Sequence, residues 1–438
     1  MVGKGGKYQI KELYALFKSL CLVLALAVPM VVLSASASYG DECGNSQIVF
    51  AFQGKIFAAS GTGKVSVSEI ASGFLGPYAM TWAPDCDKFA FIDAGSLWVA
   101  GEQQTPLKLQ IPGQVSSFVW SPNGKEIGVT ARRSECVAQS QVSELGDIFT
   151  VSVADHVPTI VTHNCRSALD GWSSDNQHLL LEEGVEYKLA CDPTQPPCAG
   201  TDLMIADSTS RSIRTLLSAK ELTKRGYSIG NLVRWDAERH TIYMSNGISP
   251  FYGSSSILVA IRDTDGKQLW SQTVEGPVWL GDQQFEAFKL VGSTEGITFQ
   301  PILINEDGRQ TGKYPIGAGA LSPDKKYVVG TGEHEWIIDF IPAKGLKGWS
   351  YSLPGQTKSC AEEWTPDNRW VINRYTMGPT DKDLEVSLWV MDPESRKAEN
   401  FFRKVVTIPS NTNPLSFACG MAYPFSPSVV ALGKWSHR

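Results

Sequence analysis

"VWSPNGKEIGV", residues 119–129, joins a tryptophan to a tight turn and then to an apolar run. Ser121-Pro122-Asn123-Gly124 carries proline at the second position and glycine at the fourth, which suits a type I turn. Variants of the stretch recur along the chain: "TWAPDCDKFAFID" at Trp82, "GWSSDNQHLLLE" at Trp172 and "RWDAERHTIYMS" at Trp235. A degenerate "VWLGDQQFEAFKL" follows at Trp279, then "ALSPDKKYVVG" with Leu321 in the tryptophan place, and "EWTPDNRWVIN" at Trp364. A last trace, "PFSPSVVALG", puts Phe425 there. Periods near forty residues belong to propeller blades or to helical arrays, and local chemistry separates the two.

That chemistry is β. The segments after each turn are short and rich in β-branched and aromatic residues, as in "KFAFI", "TIYMS" and "KYVVG". A second short strand follows each, such as "SLWVA", "DIFTVSV" or "VSLWVMD", and often a weaker third. Four strands per repeat make a propeller blade, so the expected class is all-β. "SQIVFAFQGKIFAASGTGKVSVSEI" reads as a blade without its leading strand, and "SFACGMAYPFSP" as a leading strand without its blade. The last blade is therefore expected to be assembled from both ends, leaving no open sheet edge. Eight four-stranded blades result; seven stays open because the unit at Trp279 is poor. The repeated tryptophans are expected to pack between neighbouring sheets rather than hold a cofactor.

The unit "WSPNGKEIGV…DIFTVSV" resembles the WD-type repeat of TolB-like propellers, which also builds the propeller of prolyl-oligopeptidase-type peptidases. The resemblance covers roughly residues 45–430 and implies the fold strongly, function only weakly. The chain is expected to carry neither the α/β domain that precedes the TolB propeller nor the hydrolase domain of the peptidases.

Residues 1–37 read as a secretory signal: Lys4, Lys7, Lys11 and Lys18, the apolar run Leu20 to Leu33, then Ala35-Ser36-Ala37. An uncleaved N-terminal anchor is the alternative. Residues 38–438 are expected to form one propeller domain in the periplasm or outside the cell. Removing the signal takes away four lysines and one glutamate, moving the formal charge from −6 to −9. Such an acidic chain argues against nucleic acid as partner. Loss of Cys21 leaves eight cysteines, an even number that suits disulfides in an exported protein.

With the strands of a repeat called a to d, the a–b and c–d turns share one face of the ring. The b–c loops and the links between blades share the other. Every pairing proposed from this order joins cysteines of one face: Cys191 with Cys198, Cys136 with Cys165, Cys360 with Cys419, and Cys43 with Cys86. The b–c loops are expected to be long at Ala131–Gly146, Glu182–Thr201 and Tyr375–Glu385. Loops on a rigid scaffold carry binding residues, which makes Arg132, Arg133, Tyr187, Phe251, Tyr252 and Tyr375 the candidate anchors.

Catalytic motifs do not assemble. "GYSIG", Gly226 to Gly230, matches a nucleophile elbow but lacks the strand before and helix after it. "SGTGKV" at Ser60–Val65 and "DTDG" at Asp263–Gly266 read as turns, not as phosphate or calcium loops. His156, His163, His178, His240 and His334 stand singly, so no metal set and no cofactor is expected. The first reading is an exported, non-catalytic propeller that binds a protein or envelope component. The alternative is an extracytoplasmic propeller hydrolase or lyase acting on saccharide or peptide at the central funnel.

Overall fold

The computed structural model describes residues 48–60, 65–101, 104–137, 145–187, 198–225, 232–245, 257–281, 283–293, 296–313, 321–331, 337–342, 348–352, 357–380, 383–407 and 430–432. These residues fall into eight antiparallel sheets, the arrangement of an all-β propeller. Sheet 1 holds β4 (Tyr78–Trp82), β5 (Lys88–Asp93), β6 (Ser96–Gly101) and β7 (Leu107–Lys108). Sheet 2 holds β8 (Gln114–Trp120), β9 (Glu126–Arg132), β10 (Asp147–Ser152) and β11 (Pro158–Ile160). Sheet 3 holds β12 (Ser167–Trp172), β13 (His178–Tyr187), β14 (Cys198–Asp207) and β15 (Ile213–Leu217). Sheet 4 comprises β16 (Leu232–Asp236), β17 (Thr241–Ser245), β18 (Ile257–Arg262) and β19 (Gln268–Thr273). Sheet 5 comprises β20 (Glu275–Gly281), β21 (Gln284–Ser293), β22 (Gly296–Asn305) and β23 (Gln310–Lys313). Sheet 6 shows three strands among the described residues, β24 (Tyr327–Thr331), β25 (Ile337–Pro342) and β26 (Trp349–Ser352). Its leading position is marked by the bridge Leu321↔Val328. Sheet 7 holds β27 (Thr357–Trp364), β28 (Trp370–Met377), β29 (Asp383–Asp392) and β30 (Lys397–Thr407).

The remaining sheet joins sequence-distant segments. β1 (Ile48–Phe52), β2 (Lys55–Ser60) and β3 (Ser66–Ser72) are completed by β31 (Val430–Leu432), with Phe50 opposite Leu432 and Phe52 opposite Val430. The closing strand comes later in the chain than the stretch expected to lead the blade. Pro424 and Pro427 stand in the earlier stretch expected to lead the blade, and proline cannot donate to a ladder. That stretch, with Phe425, lies outside the described residues.

Packing runs from sheet to sheet round the ring. Ala90 and Ile92 of sheet 1 meet Trp120 and Ile127 of sheet 2, and Ile148 meets Trp172 and Leu179 of sheet 3. Leu180 then packs on Trp235 and Ile242, and Tyr243 on Trp279 and Phe285. Leu303 reaches Leu321 and Val328, and Val329 and Phe340 reach Trp364 and Trp370. Val371 and Leu388 of sheet 7 meet Phe50 of the closing sheet, whose cluster continues to Trp82 and Phe89 of sheet 1. Every repeat tryptophan thus sits in a seam. The middle strands β1 and β17 are buried at every position because both of their faces are covered, whereas the outermost β19 is mostly exposed.

Two polar devices stitch the seams. The Trp120 indole donates to the carbonyl of Thr81 at 3.1 Å, and Trp172 donates to the carbonyl of Val119 at 3.2 Å. Each indole thereby reaches the residue just before the preceding sheet's own tryptophan. Gly128 makes room for this approach: a Cβ there would lie 2.5 Å from Leu169 Cδ2 and 3.1 Å from Trp172 Nε1. The turns are linked as well. Gly124 donates its N–H to the carbonyl of Ser121 at 2.8 Å and takes φ +67°, as the sequence of the turn anticipates. Asn176, in the same turn position of sheet 3, accepts the N–H of Asn123 at 2.8 Å. Asn368 likewise accepts the N–H of Asp324 at 2.7 Å.

Trp172→Ala should lower unfolding stability by about 3–5 kcal/mol, the usual cost of removing a buried tryptophan. Trp172→Phe should cost about 1–2 kcal/mol, because an aromatic ring still fills the seam while the Val119 carbonyl loses its donor. Urea denaturation of both variants checks the difference.

Candidate functional site

The face of the b–c loops is where the strands depart from expectation. β13 runs to Tyr187 and β14 begins at Cys198, pairing Tyr187 with Cys198, so both ends of the expected Glu182–Thr201 loop are ladder. In sheet 7, β28 continues to Met377 and includes Tyr375. Tyr375 is fully buried on the side of the closing sheet, and its hydroxyl accepts from Asn373 Nδ2 at 3.0 Å. It is therefore a core residue and not a binding-loop anchor. Its strand has both faces covered, so the usual alternation of polar and apolar positions is lost.

The b–c segment of sheet 2 is tied down at several points. After β9 ends at Arg132, one helical turn, α1 (Ser134–Val137), brings Cys136 inward. Cys136 is bonded to Cys165, which lies 29 residues on, in the link to sheet 3. Asp147, at the start of β10, has no solvent exposure. Its Oδ1 accepts the backbone N–H of Cys165 at 2.9 Å, and its Oδ2 accepts from Arg133 Nε at 2.5 Å. The Arg133 guanidinium also donates to Glu135 Oε1 at 2.8 Å and to His163 Nδ1 at 2.6 Å. Gly146 and Ser167 exchange backbone hydrogen bonds, which joins the segment to β12. Arg133 is thus an internal brace, while the exposed Glu135, His163 and Arg166 form the rim.

Cys136, Asp147 and Cys165 present a sulfur, a carboxylate and a sulfur within 4.8 Å of one another. The two sulfurs are bonded to each other and offer no thiolate, so this donor set does not suit a metal. Cys86 is disulfide-bonded; Cys43, the partner the sequence proposes, lies outside the described residues. So do Cys191, Cys419, Phe251, Tyr252 and the "GYSIG" segment. Cys198 opens β14 and Cys360 sits at a register shift in β27. Arg132 closes β9 opposite Gln114, half-buried, and Tyr187 closes β13. Asp263–Gly266 is a hairpin turn, as expected.

The structure also places groups that sequence reasoning missed. Leu75, on the link into sheet 1, and Tyr78, which opens β4, are exposed, and the backbone N–H groups of Leu75 and Gly76 are held by Asp93 Oδ1 at 3.0 and 2.8 Å. An apolar residue fixed in the open on a link was legible only as part of "SGFLGPYAM". In sheet 3, Asp170 occupies the register shift of β12, and Glu182 lies opposite Ala168 on β13. Asp170 Oδ2 is sealed from water and has no hydrogen-bond partner among the described residues. Burial, and then the neighbouring Glu182 carboxylate, push the Asp170 pKa well up. Burial pushes Glu182 up to about 7. Glu286, on β21, is likewise raised by burial to about 7, against the lowering effect of the Leu321 N–H.

These sheets define a β-propeller, and comparison with solved structures agrees on the fold. A eukaryotic initiation factor is similar with a TM-score of 0.51 and 11% identity over 84% of this chain and 100% of that one. A TolB-type chain from Agrobacterium tumefaciens is similar at 0.33 and 13% identity over 82% of this chain and 89% of that one. A prolyl endopeptidase is similar at 0.37 and 12% identity over 94% of this chain and 57% of its own length. At 11% identity the likeness to the initiation factor shows fold alone. No protein-family model matches the chain, and no curated protein matches it.

Arg133→Ala leaves the Asp147 carboxylate buried without its cation and should cost about 3 kcal/mol, read from urea midpoints. The carboxyls of Glu182 and Glu286 titrate near 7 in the fold against 4.5 as free side chains. The folded state therefore holds their protons more tightly, so the stability they contribute is full below about 4.5 and is lost as pH rises to about 7. Thermal melts should fall across that window. Glu286→Gln should flatten the decline, by up to about 1.4 kcal/mol per pH unit.

Proposed function

We propose that this chain is an exported, non-catalytic propeller that docks a protein or cell-envelope component on the face of its b–c loops. The observation that carries the reading is the bracing of sheet 2. The Cys136–Cys165 bond and the Asp147–Arg133 pair hold the rim residues Glu135, His163 and Arg166 on a rigid base. A preorganised surface loses little ordering entropy on binding. Leu75 and Tyr78 add exposed apolar area, and their connecting link belongs to the same face. A disulfide suits an oxidising compartment, as does the signal-like N-terminus. Among the described residues no helix is long and apolar enough to cross a membrane.

One observation favours the second reading, a propeller hydrolase or lyase. Asp170 and Glu182 are two interacting carboxyls with raised pKa values, one of them on a leading strand at a register shift. Groups poised near neutrality suit acid–base work.

One set of variants separates the two. The mature protein is cross-linked in its native envelope and recovered, as wild type, as the rim variant Glu135→Lys/Arg166→Glu, as Asp87→Lys on the opposite face, and as Asp170→Asn. Docking on the b–c face predicts at least a tenfold loss of co-purified partner for the rim variant alone. Equal recovery from all four rejects it. Turnover of envelope saccharides or peptides by wild type, lost in Asp170→Asn, would establish the enzyme instead.

A further inference from the structure

A second buried charged group, in the middle of sheet 7, leaves two of its donors without an acceptor among the described residues. Arg374 sits in the middle of β28 and is 3% exposed. Its Nε and Nη2 are both sealed from water and donate to nothing among the described residues. These two nitrogens share one edge of the guanidinium, the edge that grips a carboxylate with two parallel hydrogen bonds. A buried polar group without a partner costs free energy, and a buried charge costs more.

Register and packing show where this edge lies. Trp370 and Ile372, four and two residues earlier, pack with Val329 and Phe340 of sheet 6, while Val371 and Tyr375 pack toward the closing sheet. Arg374 therefore points into the gap between sheets 6 and 7. Across sheet 7 it stands in one row with Ser359, Ser387 and Arg403. Ser387 accepts the Trp389 indole N–H at 3.0 Å, and its own hydroxyl hydrogen has no acceptor among the described residues. Glu385 is engaged by Arg403 at 2.6 Å. Burial draws the Arg374 pKa down, and the Glu385 carboxylate and Tyr351 of β26 partly restore it.

We propose that the gap between sheets 6 and 7 is a binding site for a carboxylate, held by the Nε–Nη2 edge of Arg374 with Ser387 beside it. Among the described side chains, the guanidinium groups of Arg374 and Arg403 face the single carboxylate of Glu385, which leaves one formal positive charge for a monoanion to neutralise. A phosphate dianion would meet repulsion from Glu385. The site stands on different residues from the docking face of sheet 2 and does not depend on that reading. The carboxylate is that of a small free acid or of a peptide C-terminus; the chemistry of recognition is the same.

The folded full-length protein is melted in sodium acetate and in sodium chloride at matched ionic strength. Acetate at about 50 mM should raise the melting temperature by about 2 °C over chloride, and inorganic phosphate should not. Arg374→Met should abolish the acetate shift and melt in chloride at or above the wild-type temperature, because an uncompensated buried charge is gone. Ser387→Ala should keep the fold and halve the shift, which preserves the test if Arg374→Met fails to fold. A short peptide with a free C-terminus, compared with its C-terminal amide, distinguishes the two sources. No acetate shift in wild type, an equal shift with phosphate, or a shift that survives in Ser387→Ala and Arg374→Met alike would overturn the site. So would an Arg374→Met that folds but melts more than about 5 °C below wild type, since that would reveal a structural partner.

Discussion

Every sheet in this ring has two apolar faces, so none can be stable until a neighbour covers each of them. The chain meets this requirement by placing one bulky residue per repeat, Trp82 through Trp364, in the seam with the preceding sheet. Apolar area alone would not set the angle between sheets. At two seams the indole bonds from Trp120 to Thr81 and from Trp172 to Val119 add that constraint, because each fixes a side chain to a particular backbone oxygen next door. Closure by Val430–Leu432 then supplies the last missing neighbour.

The two faces of the ring satisfy their polar groups differently. On the turn face, Asn176 and Asn368 hand a carbonyl to the backbone of the preceding turn, and short side chains such as Ser121 and Ser322 complete the loops internally. On the other side, charged groups are carried into seams: Asp147 with a full set of partners, Asp170 and Arg374 with atoms left over. Unpaired buried polar atoms of this kind cost stability, so the fold itself gives no reason for these two charges. The contrast explains why the propeller can be rigid at one end and chemically expectant at the other.

Much of the fold was legible because its cues are local. A proline–asparagine–glycine turn after a tryptophan can be read within ten residues, and its return every forty or so residues implies the ring. The site was harder. Cys136 and Cys165 could be placed on one face from strand order alone, but Asp147 joins them only through the pairing of β9 with β10. Tyr375 read as a loop residue because "WVINRYTM" shows no alternation when both faces of a strand are covered. Arg374 and Glu182 left one trace, a charge inside an apolar run, as in "VINRYTM" and "LLLEEGV". Which sheet such a charge faces depends on contacts far away in sequence.

The closing sheet pairs Phe50 with Leu432, so the first three strands of the ring wait for almost the whole remainder of the chain before their edge is covered. Contacts this distant in sequence make folding slow, because the entropy of bringing the segments together must be met before their pairing contributes. During synthesis β1 stays an open edge, and the earlier repeats lack one flank of their core. A chain that cannot finish folding until it is nearly complete remains threadable for longer. Under the proposed export as an extended polypeptide, late closure would double as a timer.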